Sequence, residues 1–240
     1  MVIQITNRCT MGCTHCMVNA TPEGKDMDWK TYFQSLNKAK EWGIKFVAFS
    51  GGEPTEHELF EEFMMVAIEK SFPLFVVISN GSFLLDKEKK KNYLSKFQFQ
   101  ITNDIRYYPK RIPYFEHPNI FSWDIVQNEL SNCTRVKING LKPGFTKPKC
   151  FNIRSIFKKT LNKSFKDILN IYYDTLLKFC LPVIKPDGNI IIGECDLCKP
   201  IGNIYTPDNE LIENIRNFKC NNCGCFDNME LFYRLYLGEV

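Results

Sequence analysis

Short apolar runs alternate with longer stretches of helical period through the first hundred residues. "VIQIT" (2–6) reads as a strand, and "MDWKTYFQSLNKAKEWG" (27–43) carries apolar residues at helical spacing up to Gly43, a helix stop. "KFVAFS" (45–50) is a strand, "EHELFEEFMMVAIEKS" (56–71) a helix and "LFVVIS" (74–79) a strand. "DKEKKKNYLSK" (86–96) is a polar helix, and "FQFQIT" (97–102) a strand. Such alternation predicts a parallel sheet with right-handed crossovers. The stretch 106–123 is rich in aromatics and Pro and shows no period, whereas "TRVKI" (134–138) predicts one more strand. Further on, "LPVIKPDGNIIIGE" (181–194) predicts a hairpin about Pro186-Asp187-Gly188. A short strand and a helix follow in "PIGNIYTPDNELIENIRNF" (200–218). There is no internal repeat.

The residues that follow each strand narrow the picture. The five apolar runs lead into Asn7-Arg8-Cys9, Gly51-Gly52-Glu53, Asn80-Gly81, Asn103-Asp104 and Asn139-Gly140. In a parallel sheet those ends share one face, the face on which ligands bind in open sheets and barrels alike. Any one strand must end in turn residues. Five in succession, one of them carrying a cysteine cluster, predict a site.

Composition then sets the class. The chain has 240 residues, with 44% hydrophobic and 24% charged, which is ordinary for a globular protein and predicts one main domain plus an appendage. The net charge of +4 is mild, and the charge run at 86–91 reads as a solvated helix face, so nucleic acid is not expected as a partner. No apolar run reaches the ~20 residues of a membrane span, and no signal peptide opens the chain, so no membrane partner and a cytoplasmic location are expected.

Against that background 11 cysteines stand out. An odd number in a reducing compartment argues for metal rather than a disulfide framework. Cys9, Cys13 and Cys16 form Cys-x3-Cys-x2-Cys in "NRCTMGCTHCMVN". Three thiolates on one loop leave a four-iron cluster or a tetrahedral zinc one ligand short. His15 is placed to supply that ligand and close a structural zinc site. Spacing alone leaves both readings open.

"CTMGCTHC" followed by "FSGGEPT" at the next strand end resembles the radical S-adenosylmethionine (SAM) superfamily. With "VVISNG" and "RVKINGL", the chain is similar to its SPASM/twitch and molybdopterin-cofactor cyclase branches. The resemblance covers residues 1–140 well and 180–225 more loosely. It implies an α/β fold, a partial (β/α)6 TIM-type barrel over 1–179. A small Cys-rich twitch/SPASM-like appendage would follow over 180–240. It further implies that Cys9, Cys13 and Cys16 hold a [4Fe-4S] cluster whose fourth iron is chelated by SAM. His15 would lie beside the adenine, where the family usually has an aromatic residue. Gly51, Gly52 and Glu53 would meet the methionine amino group, with glycine allowing the ligand to approach the backbone. Ser79 and Asn80 would lie near the ribose, with Asp104 and Asn139 as further contacts. Asp104 aligns, with Thr102, only softly to a Ser-x-Asp pattern of those branches. The implied chemistry is reductive cleavage of SAM to methionine and a 5′-deoxyadenosyl radical, which abstracts hydrogen from a substrate. An electron donor such as flavodoxin or ferredoxin is implied.

The second cysteine group, Cys195-x2-Cys198 and Cys220-x2-Cys223, has close to zinc-ribbon spacing when read cold. "IKPDGNIIIGECDLCKPIGNI" resembles the hairpin of SPASM and twitch domains, which hold auxiliary clusters, although the interval from Gly188 to Cys195 is longer than usual. A second [4Fe-4S] cluster is the favoured reading and zinc the alternative. Cys180 or Cys150 would supply a ligand ahead of the hairpin, and Cys225 is a further candidate. Cys133 is expected to be a buried apolar residue, with hydrogen donation to a substrate radical as its other reading. His57 and His117 carry no functional case.

The motifs do not name the substrate. A nucleotide, sugar, small metabolite or peptide fits, and the chain's start at its first strand weighs mildly against a peptide maturase with its own recognition domain. An activase or maturase acting on a partner protein is the alternative. From another class, the alternative is a non-catalytic zinc-stabilised nucleic-acid-binding protein.

Overall fold

The computed structural model describes residues 1–14, 16, 18–44, 46–72, 74–102, 108–124, 182–192 and 199–217. Five strands lie parallel in chain order: β1 (Val2–Thr6), β2 (Phe46–Gly51), β3 (Leu74–Ser79), β4 (Phe99–Thr102) and β5 (Ile120–Asp124). Three helices connect the first four: α1 (Trp29–Glu41), α2 (Phe60–Glu69) and α3 (Lys87–Lys96). Strands that follow one another in a single direction, joined by right-handed crossovers, put every connecting helix on one face. That is how part of a β/α barrel is built.

The two faces are packed differently. On the helix side, Ile3, Ile5, Val47, Phe49, Val77, Phe99 and Ile101 join Tyr32, Leu36, Phe60, Phe63 and Leu94 in one buried core. Tyr32 stacks on Phe63, and its hydroxyl donates to the Phe63 carbonyl, so the ring is buried without an orphaned polar atom. On the inner face Val2, Ala48 and Val76 form an apolar row with Val183 and Ile191. One step up that face, Gln4 pairs in register with Ser50, and Ile78 with Gln100.

Local chemistry sets the helix starts. Asp28 caps α1 by accepting from Thr31 N at 2.7 Å. Asp86 caps α3 by accepting from Glu88 N and Lys89 N. The second helix begins later than its periodicity predicts, because Pro54–Glu56 forms a 3₁₀ turn before it. A strand at 120–124, in the stretch read as without period, was not predicted. Pro109, Pro113 and Pro118 interrupt the pattern ahead of it and leave only five residues of signal.

The hairpin expected at 181–194 is present as β6 (Pro182–Ile184) and β7 (Asn189–Ile192), followed by β8 (Pro200–Asn203) and α4 (Asp208–Asn217). It adds to the main sheet: β6 pairs parallel with β1, and β7 and β8 continue antiparallel. The eight-strand order is β5-β4-β3-β2-β1-β6-β7-β8, which leaves β1 in the interior of the sheet. The strand expected at 134–138 lies outside the described residues. No helix of the described residues is long and apolar enough to cross a membrane.

Candidate functional site

The first cysteine loop is fastened to the end of β2. Beyond the strand pair, Gly52 N donates to Thr6 O and Glu53 N to Arg8 O, each at 2.8 Å, so the parallel ladder runs on into the loop. From the other side, Cys9 N donates to Thr21 O at 2.9 Å and Asn7 N to Lys25 O at 2.7 Å. Asp26 accepts from Thr6 Oγ1 and pairs with Arg8. The Glu56 carboxylate accepts from both Thr10 N and Thr10 Oγ1. The two motifs thus meet backbone to backbone.

The glycines have a structural reason beside the one the sequence suggests. A Cβ on Gly52 would lie 2.1 Å from Arg8 O and 3.0 Å from Ala20 Cβ, and one on Gly51 would lie 2.1 Å from Thr6 O. Gly51 also sits at φ +147°, where other residues are strained. Close approach of the end of β1 and of the cysteine loop already excludes side chains there, before any ligand is considered.

Glu53 is fully buried. Its Oε1 accepts from Thr55 N, Thr55 Oγ1 and Ser79 Oγ, and its Oε2 from Asn80 N at 2.7 Å. Burial raises its carboxyl above the usual range, against the lowering effect of these donors. The carboxylate ties the end of β2 to the end of β3, and every donor on it comes from the chain itself.

The three thiols share one small apolar cluster. Cys9 is buried with Met11, Val18, Ala20 and Ile112, and Cys13 and Cys16 pack at its edge beside Tyr108. Sulfur acceptors already have donors: Met11 N to Cys9 Sγ at 3.4 Å, Asn80 Nδ2 to Cys9 Sγ at 3.6 Å, and Ala20 N to Cys16 Sγ at 3.3 Å. Burial, and next the Glu53 carboxylate, push the Cys9 thiol up to about 12. Such a thiol stays protonated unless a cation takes its place, as iron does. A loop of soft donors, held rigidly and supplied with N–H groups, fits a thiolate-bound cluster. Among the described residues, no three His, Cys, Asp or Glu side chains converge on a single ion.

The inner face adds an orphan. Gln4 is 2% exposed and its Oε1 has no hydrogen-bond partner. A buried acceptor left open on the face below the cysteine loop suits a ligand that donates to it. By contrast His57 is satisfied: its Nε2 faces Met27 O at 3.0 Å and its Nδ1 accepts from Leu59 N.

Residues 3–100 match the family model described as the Radical SAM superfamily. Over that stretch the chain is similar to radical SAM proteins. Among relatives, it is 30% identical over 93 residues to a putative peptide biosynthesis protein, YydG, of Bacillus subtilis, covering 38% of this chain and 29% of that one. It is 25% identical over 93 residues to GTP 3',8-cyclase of Aliarcobacter butzleri, covering 37% of this chain and 29% of that one. The match thus spans less than a third of each relative's length. In fold it is similar to the crystal structure of BtrN in complex with AdoMet and 2-DOIA, at TM-score 0.57 and 15% identity, covering 100% of this chain and 88% of that one. That likeness supports the partial β/α barrel.

Of the expected site residues, the structure brings together Cys9, Cys13, Cys16, Gly51, Gly52, Glu53, Ser79 and Asn80. His15, Asp104, Asn139, Cys133, Cys150, Cys180, Cys195, Cys198, Cys220, Cys223 and Cys225 lie outside the described residues. Sequence reasoning missed the Glu56 clamp and the Asn80–Cys9 contact, for which no local signal exists. It also missed Gln4, whose signal was present: a polar residue inside a strand that is apolar on both sides.

Proposed function

We propose that the protein is a radical SAM enzyme that cleaves SAM reductively and abstracts hydrogen from a small-molecule or peptide substrate. The observation that carries this reading is the backbone ladder joining the Cys9 loop to Gly52 and Glu53, which unites the three thiols and the glycine strip at one end of the sheet. A [4Fe-4S] cluster with SAM supplies one-electron cleavage of the S–C5′ bond and so a 5′-deoxyadenosyl radical.

The chain's own part is binding, orientation and exclusion of water. Cys9, Cys13 and Cys16 would hold three irons. Ser79 and Asn80, fixed by Glu53, would stand at the cofactor's edge, together with His15, Asp104 and Asn139. The apolar row of Val2, Ala48 and Val76 gives the inner face a dry floor, and Gln4 gives it one acceptor. An electron donor of the flavodoxin or ferredoxin kind and a cytoplasmic location complete the reading. Similarity to YydG favours a peptide and similarity to GTP 3',8-cyclase a nucleotide; an activase acting on a partner protein is a further variant.

We extend the proposal to the C-terminal part. Residues 1–179 form the barrel unit, and 180–240 a Cys-rich appendage whose first hairpin is shared with the sheet. Cys195, Cys198, Cys220 and Cys223, with Cys180 and Cys225 as further candidates, hold a second [4Fe-4S] cluster. Zinc is the alternative occupant.

The test is anaerobic reconstitution followed by incubation with SAM and dithionite. Wild-type protein yields 5′-deoxyadenosine, and the triple change of Cys9, Cys13 and Cys16 to Ala abolishes it. Continued formation by the triple variant, or zinc without iron in anaerobically purified wild type, overturns the reading. Zinc without iron favours the nucleic-acid-binding alternative.

A further inference from the structure

Asn80 follows the last residue of β3, is 7% exposed, and is held at two points. Its backbone N–H donates to Glu53 Oε2 at 2.7 Å, and its Oδ1 accepts from Ser82 N at 2.8 Å in a turn that Gly81 passes at φ +82°. With backbone and side-chain oxygen both engaged, Nδ2 has one direction left, and it points at Cys9 Sγ, 3.6 Å away. Met11 N approaches the same sulfur at 3.4 Å. Two N–H groups therefore converge on the most enclosed of the three thiols. One of them comes from the residue just past β3, 71 positions further along the chain.

We propose that Asn80 is a positioning residue that donates to the Cys9 sulfur and raises the reduction potential of the cluster this thiol would hold. The inference rests on the radical SAM reading above. In the step concerned, a low-potential reductant passes one electron to the cluster; no bond is broken and no proton moves. The cluster with its thiolates becomes more negative by one charge. An N–H aimed at a thiolate sulfur stabilises the more negative state more, so it favours reduction, and hydrogen bonds to the sulfurs are a main control of cluster potential. In a buried site the effect is not screened by water. Glu53 acts through Asn80: by fixing its backbone, it aims the amide.

The rival explanation is that Asn80 serves only its turn. Asn80→Ser separates the two, because a serine hydroxyl still accepts from the Ser82 N–H in such turns but is too short to reach Cys9. Asn80→Ala removes both bonds. The measurement is a redox titration of reconstituted protein without SAM, followed by electron paramagnetic resonance of the reduced cluster, with iron content and melting temperature read alongside. Both variants are expected to keep wild-type iron while their reduction equilibrium constant falls about tenfold, ~59 mV for one electron. An unchanged potential in Asn80→Ser, with or without a lower melting temperature, overturns the proposal. A second readout uses the wild type alone, with asparagine selectively labelled with ¹⁵N. Coupling of an asparagine nitrogen to the reduced cluster's spin is expected, and its absence also overturns the proposal. Wild-type protein that takes up no iron cluster defeats the radical SAM reading itself, a different result from either of these.

Discussion

Replacing Gly52 by Ala places one methyl group against the backbone that carries the cysteines. The added Cβ would stand 2.1 Å from Arg8 O and 2.7 Å from Arg8 C, where ordinary contact begins at 3.4 Å. The obstacle is a peptide group held in a ladder, so it cannot rotate aside as a side chain would. Overpacking of this kind costs about 1–3 kcal/mol. Moving Arg8 also stretches the 2.8 Å bond from Glu53 N, worth about 1 kcal/mol net. A local cost of about 2–4 kcal/mol shifts the closed-to-open equilibrium of the loop about thirtyfold or more. The helix-side core is untouched, so the loss falls on the loop. Two assays read it: iron bound per chain after anaerobic reconstitution, and the rate at which apo Cys9 is alkylated, followed site by site by mass spectrometry. Gly52→Ala is expected to lower the first and raise the second at least tenfold, with Gly52→Val more severe. Wild-type values of both would mean that the loop does not press on the strip, and the reasoning from its backbone contacts would be wrong. An effect on SAM affinity alone, with iron intact, would restore the view that the glycines serve only the ligand.

Two further outcomes are expected, one from the Glu53 site and one from the proposed second cluster. Glu53→Gln sets an amide N–H against the donors of Asn80, Thr55 or Ser79, and is expected to cost about 1–3 kcal/mol in urea unfolding. Because burial raises the Glu53 carboxyl, its folded pKa exceeds its unfolded one; the wild type's margin over the variant is widest below about pH 4.3 and narrows as pH rises through the folded value. A margin that widens with pH would show that the donors outweigh burial. On the proposal of a second cluster in the C-terminal part, Cys198→Ala or Cys223→Ala is expected to make the region protease-sensitive and to lower iron from the level of two clusters to one. A fall in zinc instead identifies a zinc knuckle, and no change in either metal or protection makes these cysteines packed side chains.

Much of the barrel was legible because its signals are local. Strands β1 to β4 and helices α1 and α3 fall within a few residues of their predicted spans, the strands as short apolar runs and the helices bounded by a cap such as Asp28 or Asp86 or a stop such as Gly43. β5 was hidden by the prolines ahead of it. The cysteine spacing and the glycine strip pointed to the site, yet not to what holds them together. That information lies between strands: Glu53 to Asn80, Glu56 to Thr10, Asn80 to Cys9. Pairs separated by 27 to 71 residues leave no trace in a periodicity. The role of Gly52 shows the same limit, because a motif says which residue is small and only the neighbour says why.

The interior position of β1 bears on how the site comes into being. Val2 pairs with Val183 and Ile3 with Ile184, so the strand that presents the thiols meets one of its two neighbours only after most of the chain has been made. Synthesis proceeds at about 5–20 residues per second, and until β6 arrives β1 remains an open edge beside unliganded thiols. Val2, Ala48 and Val76 meanwhile lack the cover of Val183 and Ile191. Such long-range pairing is slow to form. On the proposed function, the sheet that would carry the cluster is therefore complete only late in synthesis. A fragment that stops short of the hairpin would present its three cysteines on an unfinished sheet, exposed to oxidation and to pairing with its own kind.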